Sequence, residues 1–211
     1  MQRRLDKEAL IQIALGDGKQ LDGELTLNIG CGQDQWGDIR VDFTPLAEAA
    51  NVIADLNSAL PFSDEIFSKA LLRGVIEHMI DPGKLIKEVH RVLLENGEIE
   101  ILTDNAAFPV VYFKGQRHSG GYKGRIKNDR HYMVFHPSHL EALLEVIGFD
   151  DITVVHERYV DIEGPTGKVT NLMEHIGQFL SKINAPIYIS QYFWPMIRVK
   201  AKKTNSKVVM P

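Results

Sequence analysis

Residues 27–32 read Leu-Asn-Ile-Gly-Cys-Gly, and an aspartate, Asp42, closes the next apolar run shortly afterwards. A strand that runs into Gly-x-Gly lets backbone come close to a nucleotide, because glycine has no Cβ to obstruct contact. An ionised carboxylate at the end of the following strand is a two-oxygen acceptor, which suits the two hydroxyls of a ribose. A dinucleotide site needs more: its glycine turn must open a helix whose N-terminus holds the pyrophosphate. Only Gln33 to Gly37 separate the glycines from the next apolar run, too little chain for an ordinary crossover helix. The pocket is therefore expected to take a ribose and an adenine but no diphosphate. That is the outline of S-adenosylmethionine rather than of NAD or FAD.

The elements that must position these groups follow from apolar periodicity. Short apolar runs alternate with helix-period segments, the mark of an α/β sheet. Strands are expected at Leu25–Ile29, Asp38–Val41, Val52–Ala54, Phe67–Leu72, Gly97–Leu102, Ile152–Tyr159 and Met196–Lys202. Leu5, Ala9, Leu10, Ile13 and Ala14 make a helical stripe over Leu5–Leu15. A second helix starts at Asp81-Pro82, turns Leu85, Ile86, Val89, Val92 and Leu93 inward, and is expected to stop at Asn96-Gly97. A third is opened by His136-Pro137-Ser138 and closed by Gly148, and a fourth runs from about Lys168 to Ile183.

At 211 residues, with 44% apolar and 25% charged residues, the chain suits one soluble domain, expected over residues 1–203 with a short tail over 204–211. Two segments, at about 105–130 and 161–195, exceed a minimal sheet. Loops this long in a compact domain usually serve function or move. If the strands before them are parallel, both leave from the edge where open α/β sheets bind ligands. The first carries Lys114, Arg117, Lys123, Arg125, Lys127 and Arg130 against the single acid Asp129, with Tyr112, Phe113 and Tyr122 nearby. Such a loop suits an anionic acceptor: a phosphate, a carboxylate or a charged sugar. Cations beside aromatics also suit single-stranded RNA, but a net charge of −4 gives no global drive toward nucleic acid or membrane. The second segment is expected to act as a lid, as the contact of a homodimer, or as both. Cys31, the single cysteine, cannot form an internal disulfide and fits a reducing compartment. With no signal-like stretch and no run of about 18 apolar residues, a cytoplasmic location without a membrane span is expected.

Taken in order, these motifs resemble the class I S-adenosylmethionine-dependent methyltransferases, in the small-molecule branch often labelled type 11. The likeness spans Leu25 to Phe149. It is carried by Leu27-Asn-Ile-Gly-Cys-Gly32, Val41-Asp42, Ile53-Ala-Asp55-Leu56 with Leu60-Pro-Phe62, and Val75-Ile-Glu-His78-Met79 with Asp81-Pro82. Arg91-Val-Leu-Leu-Glu-Asn-Gly97 and Phe135-His-Pro-Ser138 through Gly148-Phe149 complete the series. The resemblance implies a Rossmann-like three-layer α/β/α sandwich. Its seven-stranded, mostly parallel sheet has an antiparallel last strand between the fifth and sixth. It also implies methyl transfer from S-adenosylmethionine, with cofactor contacts from Asn28, Gly30, Cys31, Gly32, Asp42, Phe43, Asp55, Leu56, Arg73, Gly74 and His78. Asp55 would accept from the adenine amino group, Leu56 would offer its backbone N–H to the ring, and Leu72 and Arg73 would pass the methionine part. Several positions depart from the family pattern. Asn28 stands where an acid is common, Gln33 and Asp34 replace a third glycine, and Ser68 stands where many members have aspartate. The first crossover is also shortened, a trait of members that combine Gly-Cys-Gly, Trp-Gly and an early Val-Asp. It leaves one face of the sheet bare, and the Leu5–Leu15 helix is expected to cover it.

Methyl transfer is an in-line displacement from a sulfonium, so alignment is the main demand. A base is needed only where the acceptor atom keeps a proton at neutral pH. His131 is the first candidate, with Asp104 and His118 beside it; His136, before Pro137, reads as a helix cap. Glu77 and His78 are expected to brace the turn before the Pro82 helix, and Cys31 has no neighbouring base to make it a nucleophile. No Cys/His cluster at zinc spacing is visible, so no metal is expected. The function expected is methylation of a small-molecule or glycan-linked acceptor. A non-catalytic cofactor-binding partner subunit and an RNA methyltransferase are the alternatives.

Overall fold

The computed structural model describes residues 25–109, 131–158, 165–186, 189 and 191–204. They build one seven-stranded sheet from β1 (Leu25–Ile29), β2 (Ile39–Asp42), β3 (Val52–Ile53), β4 (Phe67–Arg73), β5 (Leu93–Asp104), β6 (Phe149–Glu157) and β7 (Met196–Lys203). Helices α1 (Pro82–Val92), α2 (Pro137–Ile147) and α3 (Pro165–Lys182) lie between strands in sequence. The strand order is β3-β2-β1-β4-β5-β7-β6, with β7 antiparallel to both neighbours and the other six strands parallel. This is the Rossmann-like arrangement expected, with its topological switch between β1 and β4, where open α/β sheets take ligands.

One face of the sheet is a continuous apolar core. Leu27, Ile29, Ala70, Leu72, Ile99, Ile101, Ile197 and Val199 are buried with Leu85, Ile86, Val89 and Val92 of α1 and Leu140, Leu144 and Ile147 of α2. Asp81 caps α1 by accepting from the Lys84 N–H at 3.0 Å, and Pro82 occupies the first turn, where its missing donor costs nothing. His136 caps α2 as expected, and Gly148 ends it in the left-handed region at φ 110°.

The other face carries charge across four strands. Glu100 of β5 pairs with Lys69 of β4 at 2.9 Å, with Arg198 of β7, and with Lys200 at 3.5 Å, while Arg198 also grips Glu157 of β6. Opposite charges on neighbouring strands stabilise a sheet face. Burial alone would raise the Glu100 carboxyl, but Lys69 and Arg198 outweigh it and hold it below its ordinary value. A depressed carboxylate adds stability above its unfolded pKa and loses it as pH falls through the folded one. Glu100→Gln is therefore expected to cost about 2 kcal/mol near neutral pH, between exposed and buried pairs. In urea titrations the gap to wild type should narrow as pH falls below about 4.5, Glu100's ordinary value.

Several element bounds differ from the expected ones. Helix α1 stops at Val92 rather than at Asn96-Gly97, because Leu93 is already extended (φ −73°, ψ 141°) and starts β5. Asn96, at φ 62°, and Gly97 instead form an irregularity inside β5, where the pairing with β4 jumps from Phe67↔Leu93 to Lys69↔Glu98. A Cβ on Gly97 would lie 2.8 Å from the Leu94 carbonyl oxygen, so the bend requires glycine. Strand β6 starts earlier than expected, at Phe149, and absorbs a similar irregularity at Asp151, φ 52°. Strand β2 is shifted by one residue to Ile39–Asp42, β3 ends one residue earlier, and β4, β7 and α3 differ by a few residues at their ends. The Leu5–Leu15 helix lies outside the described residues, as do most of the 105–130 segment and residues 205–211 of the tail.

Candidate active site

The shortened crossover is held by side chains rather than by a helix. Asp38 accepts from both the backbone N–H and the hydroxyl of Thr26, at 3.0 and 2.7 Å. Arg40 donates to the carbonyls of Ala49 and Gly37, each at 2.7 Å. Asn28, 1% exposed, donates its amide to the Trp36 carbonyl at 3.2 Å. The structure thus uses Asn28 to pin the short loop between β1 and β2, a role its position in the motif did not reveal.

These braces set the glycine turn. The N–H groups of Gly30 and Cys31 both donate to the Val41 carbonyl, at 2.8 and 3.2 Å, and the Gly32 N–H donates to Asp42 Oδ2 at 2.9 Å. All three amides point back into the sheet, so the turn offers no nest of free donors for a diphosphate. Gly30 (φ 63°) presses on Val75, whose Cγ2 would stand 2.5 Å from an added Cβ. Among the described residues nothing lies within 4 Å of where a Cβ on Gly32 (φ 52°) would be, a cradle that lets a ligand reach backbone. Across the switch point, Gly74 (φ 64°) follows β4, and among the described residues only Glu77 Oε1, at 3.7 Å, lies near its missing Cβ.

The remaining candidates fall around this turn. Asp42 is 2% exposed; besides Gly32, it accepts from the Thr44 N–H at 3.2 Å through Oδ1, so each carboxylate oxygen keeps capacity for a further donor. Phe43 beside it is exposed. Asp55 is exposed and folds onto its own loop, accepting from Asn57 N–H at 3.0 Å and Ser58 Oγ at 2.8 Å; these bonds hold its carboxyl below the ordinary value. Leu56 is buried. Arg73, at the exit of β4, reaches Asp34 of the glycine loop at 3.2 Å and so ties the two lips of the switch point together. Burial and the charge of Asp42 push the Cys31 thiol up to about 11, which keeps it protonated and inert at neutral pH.

A second group assembles at the carboxyl ends of β4 and β5. The peptide N–H groups of Tyr132 and Met133 donate to the Glu77 carbonyl at 2.7 and 3.3 Å, and Ala106 N–H donates to the Phe135 carbonyl at 3.0 Å. Those bonds lay residues 131–135 along the sheet edge and bring His131 Nδ1 to 2.8 Å from Oδ2 of the buried Asp104. His78 stands edge-on to His131 with ring centroids 4.7 Å apart. Glu77, 3% exposed, accepts from the Thr103 hydroxyl at 2.9 Å. Burial pushes its carboxyl up to about 7; the charge of Asp104 adds to the rise, while His131 and the Thr103 hydroxyl oppose it. Asn105, fully buried, holds the end of β5 by donating to the carbonyls of Gln191 and Trp194 at 2.9 and 2.8 Å. Sequence reading missed both Asn105 and the meeting of Glu77, His78 and His131. A donor atom from each of those three lies within 4.8 Å of the other two. His118 lies outside the described residues, and His136 is confined to its cap, 2.9 Å from Ser138 Oγ.

A sheet with this strand order, an open glycine turn at its switch point and no diphosphate nest defines a class I methyltransferase fold. The chain belongs to the methyltransferase domain family, whose profile matches residues 7–154. It is an enzyme that uses S-adenosylmethionine. No curated protein matches the chain. Among solved structures it is similar to a SAM-dependent methyltransferase from Thermotoga maritima, at 19% identity and a TM-score of 0.58 over 95% of this chain and 91% of that one. It is also similar to one from Archaeoglobus fulgidus, at 18% identity and a TM-score of 0.55 over 86% and 87%. A phosphoethanolamine N-methyltransferase 2 from Haemonchus contortus matches at 17% identity and a TM-score of 0.51, over 94% of this chain and 53% of that one. These likenesses establish the fold. No helix among the described residues is long and apolar enough to cross a membrane.

Proposed function

We propose that the enzyme methylates a small-molecule or glycan-linked acceptor bearing an anionic group, held between the glycine turn and the group at the ends of β4 and β5. The single observation that carries this reading is the Asp104–His131 contact at 2.8 Å, beside the open switch point. S-adenosylmethionine supplies a methyl group already activated by a positive sulfur. The chain's own residues have three tasks. Asp42 and the backbone around Gly32 receive the nucleoside, with Asp42 using its remaining acceptor capacity for the ribose. Gly74 lets the exit of β4 approach the sulfur side without a Cβ in the way. Asp104, its Oδ2 2.8 Å from His131 Nδ1, holds the ring at the sheet edge, where it can take the acceptor's proton.

The cations between Lys114 and Arg130 favour an anionic acceptor over a neutral one. The Haemonchus contortus enzyme of this fold was solved with phosphomonomethylethanolamine. A cytoplasmic location, suited to the lone Cys31, belongs to the same proposal. The experiment is a turnover screen with S-adenosylmethionine against phosphorylated, carboxylated and glycan-linked acceptors, with neutral analogues and RNA alongside. Methylation of the anionic set is expected. Cofactor binding without turnover on any acceptor would favour a non-catalytic partner subunit, and transfer to RNA alone would overturn the acceptor class.

A further inference from the structure

We propose that Glu77, His78 and His131 form a binding site for one divalent first-row transition cation, with Asp104 and Thr103 supporting the ligands from behind. Two imidazoles and one carboxylate, a donor atom from each within 4.8 Å of the others, are a donor set selective for zinc, manganese, iron or cobalt over magnesium or calcium. Ligand atoms about 2.1 Å from such an ion sit roughly 3–3.5 Å apart, so the set has at most about 2 Å to close. Three protein ligands also leave a coordination position open.

The surroundings favour a metal site over a chance grouping. Histidine ligands commonly give their other ring N–H to a carboxylate, which fixes the tautomer and strengthens the donor. At His131 a buried carboxylate stands in place for that role, with Asp104 Oδ2 2.8 Å from Nδ1. Glu77 is steadied in the same way by the Thr103 hydroxyl at 2.9 Å. The backbone bonds from Tyr132 and Met133 to the Glu77 carbonyl clamp the two ligand-bearing segments together before any ion arrives.

Whether the ion binds does not depend on the proposed acceptor; what the ion would do there does. In the loaded enzyme His131 is a ligand rather than a base, and an acceptor oxygen on the open position is acidified by the ion. Its O–H bond then gives the proton to bulk water as the oxygen–methyl bond forms and the methyl–sulfur bond breaks, leaving a neutral thioether.

The test uses the untagged full chain, stripped with a chelator and titrated with Co²⁺ while its visible absorption and the bound stoichiometry are followed. One equivalent with a ligand-field band is expected. His131→Ala should abolish it, and Asp104→Asn should weaken it by roughly 10–100-fold, the usual effect of losing a carboxylate behind a ligand. His139→Ala, at an exposed position of α2, serves as the control and should leave it intact. Thermal melts of each variant without metal report folding. Should His131→Ala not fold, the crystal of the wild type soaked in Co²⁺ decides by anomalous scattering at the cobalt edge. No binding below millimolar Co²⁺, binding unchanged in folded His131→Ala, or anomalous density elsewhere would overturn the site. Methylation by a protein that binds no cation would overturn the site alone; cation binding by a protein that methylates nothing would overturn the acceptor reading alone.

Discussion

His131→Ala is expected to lower kcat by roughly a hundred- to ten-thousandfold, the range for losing a positioned proton acceptor, while the dissociation constant of S-adenosylhomocysteine stays within about twofold. The split follows from geometry. His131 is held on the β5 side by Asp104 and on the β4 side by the His78 ring, whereas the glycine turn and Asp42 lie across the switch point at the ends of β1 and β2. Asp104→Asn should give a smaller loss with the same pattern, because the ring remains but loses the carboxylate beside it. The same split holds when an ion sits on His131, since the ligand and the base occupy one place. Calorimetry for the cofactor product alongside steady-state turnover checks it. Equal losses in both would place His131 in the cofactor site instead.

Asp42→Ala is expected to weaken S-adenosylhomocysteine binding by at least about 1–3 kcal/mol, the cost of losing hydrogen bonds to a charged group. Two effects combine here. The carboxylate holds the Gly32 and Thr44 N–H groups at 2.9 and 3.2 Å, so its loss loosens the turn itself. It is also the acceptor proposed for the ribose. A ligand lacking both ribose hydroxyls separates the two: wild type should discriminate against 2′,3′-dideoxyadenosine relative to adenosine, and Asp42→Ala should lose that discrimination. If the variant keeps it, Asp42 serves only the turn.

Much of this architecture was legible in the sequence because it rests on local signals. The Gly-Cys-Gly turn, the proline-led starts of α1 and α2 and the apolar runs of the parallel strands each follow from backbone preference or burial within a short window. The strand bounds were less legible where tertiary pairing overrides local punctuation. Asn96-Gly97 reads as a helix stop, yet the pull of β4 on Leu93 ends the helix earlier and leaves the glycine to relieve crowding within a strand. Asn28 reads as a displaced acid, yet the short crossover needs an amide donor for the Trp36 carbonyl more than the pocket needs a charge. The group around His131 was least visible. Its members are brought together by backbone bonds between the Glu77 turn and residues 132–133, and no periodicity or spacing records such a contact.

The most direct measurement is a crystal structure of the protein with S-adenosylhomocysteine bound. The expected result is an adenosine lying over Gly30–Gly32 with its ribose hydroxyls on Asp42 and its sulfur between Gly74 and the Asp104–His131 pair. An adenosine seated elsewhere, or a ribose out of reach of Asp42, would contradict it.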